Sequence, residues 1–330
     1  MSSPEGFPTR YAWSRKLCVR LSAMHWPTHL SKPLVGMWKE ASRVALARVH
    51  LLRKQYHENI TRKVLAERRG QVNIADRTNK ASCRIARELA SRLGGAKCKS
   101  SPSAQTAGRR FTHHTRDFLE DSLRVLEQIR PGSWSFSTEV PISEYEQYVH
   151  LADLDDMVRH IPELKTALGT DYLVRPDIVV YRMPISDAAL GEGDEVVGRV
   201  ATYTPLRQSN HPGNPIPLLH ATVSCKWTMR SDRAQNTRTE ALNLIRNRKG
   251  YTPHISAVTA EPLPTRIASL ALGTGDLDCV YHFALYELEE TLESLKNDKG
   301  GAASQLEMLR ILIDGKRLRD ISDLPFDLAI

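Results

Sequence analysis

Residues 218–227 read LLHATVSCKW, and residues 172–183 upstream of them read YLVRPDIVVYRM. Both stretches are rich in β-branched and apolar residues, and residues 218–227 alternate in the manner of a strand with one polar face. A third strand is predicted at residues 255–260. These strands are the predicted centre of the fold.

Helices are predicted before, between and after these strands in the sequence, because apolar residues recur in those segments at helical spacing. They cover residues 45–69 as one or two helices, residues 85–93 up to Gly94, residues 119–129, residues 236–247 and residues 278–295. Residues 97–108, rich in Ser, Lys and Gly, are predicted to form a loop. Strands that alternate with helices indicate the α/β class.

The length of 330 residues allows one large core, and we interpret residues 42–330 as a single domain. Residues 1–41 show only weak periodicity, so we interpret them as an N-terminal extension whose order is doubtful. We find no internal repeat and no phosphate-binding glycine loop.

The charge balance points to a polyanionic partner. The sequence has 46 Lys and Arg against 38 Asp and Glu, a formal net charge of +8. Neutralising phosphates releases counterions and favours nucleic-acid binding, although many basic proteins bind no nucleic acid. The five cysteines form no C-x-x-C pair and have no zinc spacing, which favours a reducing, cytoplasmic location. No apolar run approaches the roughly 18 residues of a membrane span, so no membrane partner is expected.

The two main strands carry residues suited to phosphodiester chemistry. Asp177 stands at the start of its strand, and Ser224 and Lys226 share one face of the other strand while Cys225 points to the opposite face. Glu240 follows fourteen residues after Lys226, where it opens the next predicted helix. If the two strands pair, these side chains converge.

Such a convergence would suit a Mg²⁺ site. Asp177 and the carbonyl oxygen of Cys225 would bind the metal, and Glu240 would hold a water in its coordination shell. Lys226 would orient the attacking water, and Ser224 would position these groups. Taken alone the pattern is weak, because a strand-end Asp and a surface Lys occur together by chance in many proteins.

A second group of residues follows directly. Arg230, Asp232 and Arg233 place two guanidinium groups and a carboxylate within four positions. Arginine bonds the O6 and N7 atoms of guanine, and aspartate accepts from the N4 amino group of cytosine, so together they would read G·C pairs. The alternative is a solvated salt-bridge cluster. Adjacency to the candidate metal site favours DNA reading, because a nuclease must fix base sequence and scissile phosphate in one frame.

From about Gly70 to its end, the chain resembles the type II restriction endonucleases of the NgoMIV type, a tetrameric group of PD-(D/E)xK nucleases. The motifs that carry the resemblance include SCKWT at 224–228, RSDRAQN at 230–236, RNRKG at 246–250, VTAEP at 258–262, ALGTG at 271–275 and YHFALYE at 281–287. The resemblance implies a restriction-endonuclease-like α/β core with a central mixed β-sheet flanked by helices.

The resemblance also implies roles for individual residues. Its active-site set is Asp177, Ser224, Lys226 and Glu240, with the last acid moved onto the following helix. Arg230, Asp232 and Arg233 would read the inner CCGG in the major groove. The resemblance implies that Arg266, together with Asp76 and Thr78, would read the outer base pair. Gln105 would contact the minor groove. The expected site is GCCGGC, cut to leave a 5′-CCGG overhang.

One position departs from the family pattern. Where the family has another acid, this chain has Thr112, with Asp117 and Glu120 as poorly aligned substitutes. The departure puts a distal metal-water contact in doubt.

The expected partners are double-stranded DNA and further copies of the chain. A palindromic site implies a dimer at least, and the resemblance implies a tetramer and a cognate DNA methyltransferase in the same system. Two other functions remain open: a repair or recombination nuclease that reads DNA structure, and a DNA-binding protein that has lost cleavage through Thr112.

Overall fold

The computed structural model describes residues 33–161, 163, 166, 173–191, 196, 198–211, 213–229, 231–273, 275–298 and 300–330. Side chains are described from Arg48 onward, except those of Ser231 and Asp232. Most of the predicted N-terminal extension, residues 1–32, lies outside the described residues. The chain divides into two units between Leu46 and Ala47, and the central sheet and every helix from Lys80 onward belong to the second unit.

In the described part of the chain, six strands form the central sheet, in the spatial order β3-β4-β5-β6-β7-β8. The first two pairs in this order are antiparallel and the other three are parallel, so the sheet is mixed. The strands are β3 (Trp134–Ser137), β4 (Ile178–Arg182), β5 (Leu218–Lys226), β6 (His254–Thr259), β7 (Cys279–His282) and β8 (Leu318–Asp320). A separate antiparallel pair joins β1 (Glu67–Arg68) to β2 (Gln71–Val72).

Helices flank this sheet, which confirms the α/β class and the mixed sheet. They are α1 (Pro33–Lys63), α2 (Lys80–Arg92), α3 (Ala104–Val125), α4 (His150–His160), α5 (Asp187–Leu190), α6 (Ser231–Asn247), α7 (Pro264–Ala271), α8 (Leu285–Leu295), α9 (Ala302–Asp314) and α10 (Leu324–Asp327). Among the described residues, short 3₁₀ segments lie at Ile142–Glu144, Glu146–Tyr148 and Gln208–Asn210. In the described part of the chain, no helix is both long and apolar enough to cross a membrane.

The predicted helix at 278–295 is wrong in its first part. Cys279–His282 is strand β7, all four residues are buried, and the helix begins only at Leu285. The apolar spacing of Tyr281, Leu285 and Leu288 suits a helix, but it also arises where a buried strand runs directly into one. Periodicity alone does not separate these two cases.

Two predicted boundaries around α3 are also wrong. The helix begins at Ala104, inside the predicted loop at 97–108, because the Ser103 side chain accepts the Thr106 N–H at 3.1 Å and caps it. It ends at Val125, before Ile129. Similarly, the predicted helix at 45–69 ends at Lys63, and residues 67–68 form a strand.

The central strands are more buried than the sequence pattern indicates. Residues 218–223 of β5 are all buried, so its predicted polar face is confined to the last three residues. Strands covered on both faces read as near-continuous apolar runs, as in Ile178–Val180 of β4. The polar end of β5 is the end that meets the start of β4, and the candidate site lies there.

Candidate active site

Asp177 lies directly before β4, opposite the end of β5. The antiparallel register pairs Ile178 with Val223, which places Asp177 beside Ser224. Its Oδ2 atom accepts the Cys225 N–H at 2.7 Å, the Lys226 Nζ at 3.0 Å and the Ser224 hydroxyl at 3.4 Å. All three of these bonds end on Oδ2, so none of them uses Oδ1. The predicted convergence of Asp177 and Lys226 is therefore present in the fold.

The last residues of β5 alternate as expected. Ser224 and Lys226 are partly exposed, whereas Cys225 is buried, and burial raises the pKa of its thiol. The Lys226 carbonyl accepts the Ala260 N–H at 3.1 Å and the Thr259 hydroxyl at 3.0 Å, which fixes this end of the strand to β6. Lys226 thus projects from a rigid backbone, with its side chain only 17% exposed.

Glu240 joins this group from α6. The helix begins at Ser231, so Glu240 lies in its middle and does not open it as predicted. Burial raises the pKa of the Glu240 carboxyl, Lys226 opposes that rise, and Asp177 adds to it. Asp177, Lys226 and Glu240 all line one cavity, so both carboxylates and the ammonium group share one neighbourhood.

A cavity of about 590 Å³ brings the catalytic candidates together with residues of α3 and α6. Asp177, Cys225, Lys226 and Glu240 line it. The other residues that line it are Ala104, Gln105, Gly108, Arg109, Thr112, Glu139, Trp227, Arg233 and Asn236. Gln105 and Arg233, predicted to contact DNA, therefore open onto the same space as the predicted catalytic residues.

Thr112 lies in this cavity, where the family pattern has an acid. Neither suggested substitute is among the described residues that line it. Asp117 accepts from Arg116 Nε at 3.0 Å, and Glu120 pairs with Arg124 and lines a different cavity. The structure therefore does not bring Asp117 or Glu120 to the site.

The segment predicted to read guanine, Arg230–Arg233, is described in part. Arg230 and the side chain of Asp232 lie outside the described residues. Arg233 is half-buried, and its Nη1 atom donates to the Thr228 hydroxyl at 2.7 Å and the Thr228 carbonyl at 3.1 Å. Thr228 thus orients the Arg233 guanidinium beside the cavity.

The residues matched to the outer base pair also lie together. Arg266 of α7 pairs with Asp76, and Asp76 accepts the Thr78 hydroxyl at 2.8 Å and the Thr78 N–H at 3.0 Å. These contacts, led by Arg266, hold the pKa of the Asp76 carboxyl well below its usual range. The cluster is a preformed polar unit that links α7 to the loop before α2.

Comparisons with known proteins identify the family of this chain. The family model described as NgoMIV restriction enzyme matches residues 53–330. This chain belongs to the NgoMIV restriction enzyme family. The matched residues span all the strands of the central sheet and the cavity.

One curated relative supports the family, and one solved structure is distantly similar. The chain is 48% identical over 268 residues to the type II restriction enzyme NgoMIV of Neisseria gonorrhoeae, which covers 79% of this chain and 91% of that protein. It also aligns with the chain in a solved complex of the restriction endonuclease PspGI with substrate DNA, at 14% identity and a TM-score of 0.29, over 88% of this chain and 90% of that one. So distant a structural likeness supports no argument.

Three residues near the site were missed by the sequence reasoning. Arg109 follows Gln105 by one helical turn on α3, and placing 97–108 in a loop concealed that spacing. Glu139, whose backbone φ is 58°, lines the cavity from the segment after β3. Glu261 is buried at the end of β6, where its Oε2 accepts the Met229 N–H at 2.9 Å. Its position directly after a predicted strand was the available signal.

Proposed function

We propose that this chain is a Mg²⁺-dependent type II restriction endonuclease that hydrolyses double-stranded DNA at GCCGGC and leaves 5′-CCGG overhangs. One observation carries the proposal: Asp177, Lys226 and Glu240 meet in the cavity that Arg233 and Gln105 also line. A sequence-specific nuclease must hold its base-reading side chains at a fixed position relative to its catalytic residues. If the base-reading side chains were displaced, the scissile phosphate would not lie at the catalytic residues.

The donor set suits Mg²⁺. Among the described residues, no group of three or more His, Cys, Asp or Glu side chains is placed to hold a metal ion. Mg²⁺ is usually held by one or two carboxylates together with water and substrate phosphates, so Asp177 and Glu240 are enough. The Cys225 carbonyl would add an oxygen. These are hard oxygen donors, and the buried Cys225 thiol, with its raised pKa, is a poor competing ligand.

The residues of the chain would divide the work. When bound, Mg²⁺ supplies positive charge to the phosphate oxygens and lowers the pKa of water. Lys226, held by Asp177, would orient the attacking water and favour its deprotonated form. Ser224 would keep Asp177 in position through its hydroxyl, and the buried Glu240 would accept a hydrogen bond from water in the cavity.

Base reading would come from three places around the cavity. Arg230, Asp232 and Arg233 would read the inner CCGG in the major groove, and Gln105 would contact the minor groove. Arg266, with Asp76 and Thr78, would serve the outer pair. The Asp76 pairing supports this role, because it orients the Arg266 guanidinium before DNA arrives.

The assembly and setting follow from the proposed substrate. A palindromic site calls for two subunits that each cut one strand, and we infer a tetramer from the family resemblance. Residues 42–330 would form the single catalytic and DNA-binding domain. We place the enzyme in the cytoplasm with a cognate DNA methyltransferase; the four described free cysteines suit a reducing compartment.

A plasmid digest tests the function. Purified protein with Mg²⁺ should cut a plasmid that contains GCCGGC and leave a matched plasmid without it intact, and sequenced fragment ends should carry 5′-CCGG. Equal, ragged degradation of both plasmids would reject sequence-specific cleavage, and preference for junctions or flaps would indicate a repair nuclease. Specific binding without cutting in any divalent metal would indicate that Thr112 has cost the protein its activity.

A further inference from the structure

A second cavity lies at the other end of β4. Arg182 ends the strand that Asp177 precedes, and the five residue steps of extended chain from Asp177 to Arg182 span roughly 16 Å. This Arg182 cavity, of about 350 Å³, is lined among others by Arg130, Trp134, Thr204, His220 and Tyr251. It shares no lining residue with the catalytic cavity.

Arg182 is a half-buried cation without a matching anion. Its Nε atom is buried and has no hydrogen-bond partner, and no Asp or Glu of the described residues forms an ion pair with it. The guanidinium carbon lies 5.2 Å from the centre of the Trp134 ring and packs against Gly132. Burial, together with Arg130, lowers the pKa of Arg182. Buried charges in proteins are normally paired, so this one calls for a partner.

A second guanidinium increases the positive charge. Arg130 lies 5.4 Å from the same Trp134 ring, and its Nη1 donates to the main-chain oxygen of Ile330 at 2.7 Å. His220 Nε2 donates to the Leu328 carbonyl at 2.8 Å, and burial lowers the His220 pKa to about 4, so this side chain adds no charge near neutral pH. No carboxylate side chain is among the described residues that line the cavity.

The geometry points to a phosphate-binding site in the Arg182 cavity. The planar Arg182 guanidinium would bind two phosphate oxygens, Arg130 would balance the second negative charge, and the hydroxyls of Thr204 and Tyr251 would donate to the remaining oxygens. The volume leaves room for a phosphate that belongs to a larger molecule. Two sources are possible: a small phosphate compound, or the backbone of a DNA segment other than the one in the catalytic cavity.

Thermal unfolding of the full chain tests the site. Inorganic phosphate should raise the unfolding temperature of the wild-type protein saturably, relative to chloride at the same ionic strength and to acetate. Arg182→Gln should lose this increment while unfolding near the wild-type temperature in chloride, because it removes an unpaired charge. Arg159→Gln, which removes an exposed arginine paired with Asp155, is the matched control and should keep the increment.

Arg130→Gln gives a second variant should Arg182→Gln fold poorly. It should weaken the phosphate response roughly tenfold or more, the loss expected for a charged hydrogen bond. The proposal is overturned if wild type shows no saturable increment, if acetate acts equally, or if the folded variants respond like wild type.

A DNA-binding experiment determines whether the bound phosphate belongs to DNA or to a small molecule. A fluorescent 20-base-pair duplex without GCCGGC is titrated against wild type and Arg182→Gln by anisotropy. If the variant binds this duplex roughly tenfold more weakly, the phosphate belongs to DNA; if only the response to inorganic phosphate is lost, it belongs to a small molecule. A phosphate response in a protein that neither binds nor cuts DNA would uphold this site and reject the proposed function.

Discussion

Two clusters in this protein each combine one basic side chain with two carboxylates, and they differ in how fully those charges are paired. In the first, Arg53 makes four hydrogen bonds of 2.7–2.8 Å to Glu287 and Asp320. In the second, Lys226 makes one bond of 3.0 Å to Asp177, and Glu240 faces the same open cavity. The first cluster is closed and the second is open.

The pKa shifts follow this difference. Burial alone raises the pKa of a carboxyl, and it does so for Glu240. Burial opposes ionisation of Glu287 and Asp320 as well, but the Arg53 guanidinium outweighs it and lowers the pKa of both. The closed Arg53 cluster holds α1 to the β8 edge of the sheet. The open Lys226 cluster keeps carboxylate oxygen atoms available for a ligand.

The largest expected effect comes from the open cluster. Lys226→Ala should reduce cleavage of a GCCGGC plasmid by at least about a thousandfold, because it removes the group that we propose orients the water, while specific binding stays nearly intact. Cleavage rates in Mg²⁺ and gel shifts of a specific duplex in Ca²⁺ measure the two properties. Lys296→Ala, an exposed lysine paired with Glu293, is the control. A Lys226→Ala variant that cuts within tenfold of wild type would remove Lys226 from the chemistry.

A substitution in the closed Arg53 cluster should lower the stability of the fold. Arg53→Met leaves the buried Asp320 carboxylate and the partly buried Glu287 carboxylate without their guanidinium partner and should lower the free energy of unfolding by about 3–5 kcal/mol. Urea unfolding measures the loss, and Arg310→Met, which removes an exposed partner of Glu293, should change stability by less than about 1 kcal/mol. If Arg53→Met were as stable as Arg310→Met, the Arg53 cluster would not hold the fold together.

Glu261 provides a case between the two clusters. Its side chain is 1% exposed, but the nearest guanidinium, that of Arg266, lies 3.8 Å away. Burial therefore prevails and raises its pKa to about 7, despite the Met229 N–H and Arg266. The folded protein binds this proton more tightly than the unfolded chain, so the contribution to stability is present in acid and is lost as pH rises from about 4.5 to 7.

Glu261→Gln should remove that pH dependence. Between pH 4.5 and 8, the free energy of unfolding of the variant should rise relative to wild type by about 3 kcal/mol, since each pKa unit corresponds to about 1.4 kcal/mol. Urea unfolding at several pH values measures the difference, with Glu289→Gln as the control on the surface of α8. Parallel curves for wild type and Glu261→Gln would show that the fold pairs Glu261 as fully as it pairs Asp320.

The sequence predicts the parts of the fold that a short, local pattern specifies. The strands around Asp177 and Lys226 and the helix before Gly94 were found, because apolar runs and glycine boundaries mark them. Strands β3 and β8 were missed, since they are four and three residues long and take their conformation from pairing with distant strands. Strand β7 is assigned to a helix because its apolar spacing continues into α8.

The candidate site divides in the same way. Strand alternation predicts that Ser224 and Lys226 share a face, and the pairing with Asp177 follows if the strands are neighbours. Nothing local indicates that α3 brings Arg109 and Thr112 to the same cavity, or that Glu261 lies under Met229. These contacts join elements more than thirty residues apart, and tertiary packing determines them.

The smallest expected effect concerns Arg233. Its guanidinium is partly hydrogen-bonded, so it is paired less fully than Arg53 and more fully than a free side chain. The Arg233 Nη1 atom donates to Thr228, and the other guanidinium N–H groups remain as donors for a base. Arg233→Ala should weaken binding of a GCCGGC duplex by roughly 1–3 kcal/mol and reduce discrimination against a changed inner base pair. Fluorescence anisotropy with both duplexes measures this, and Arg246→Ala, an exposed arginine at the end of the same helix, is the control. If Arg233→Ala weakened binding equally for every sequence, Arg233 would contact a phosphate, and the cavity would hold DNA without reading it through this side chain.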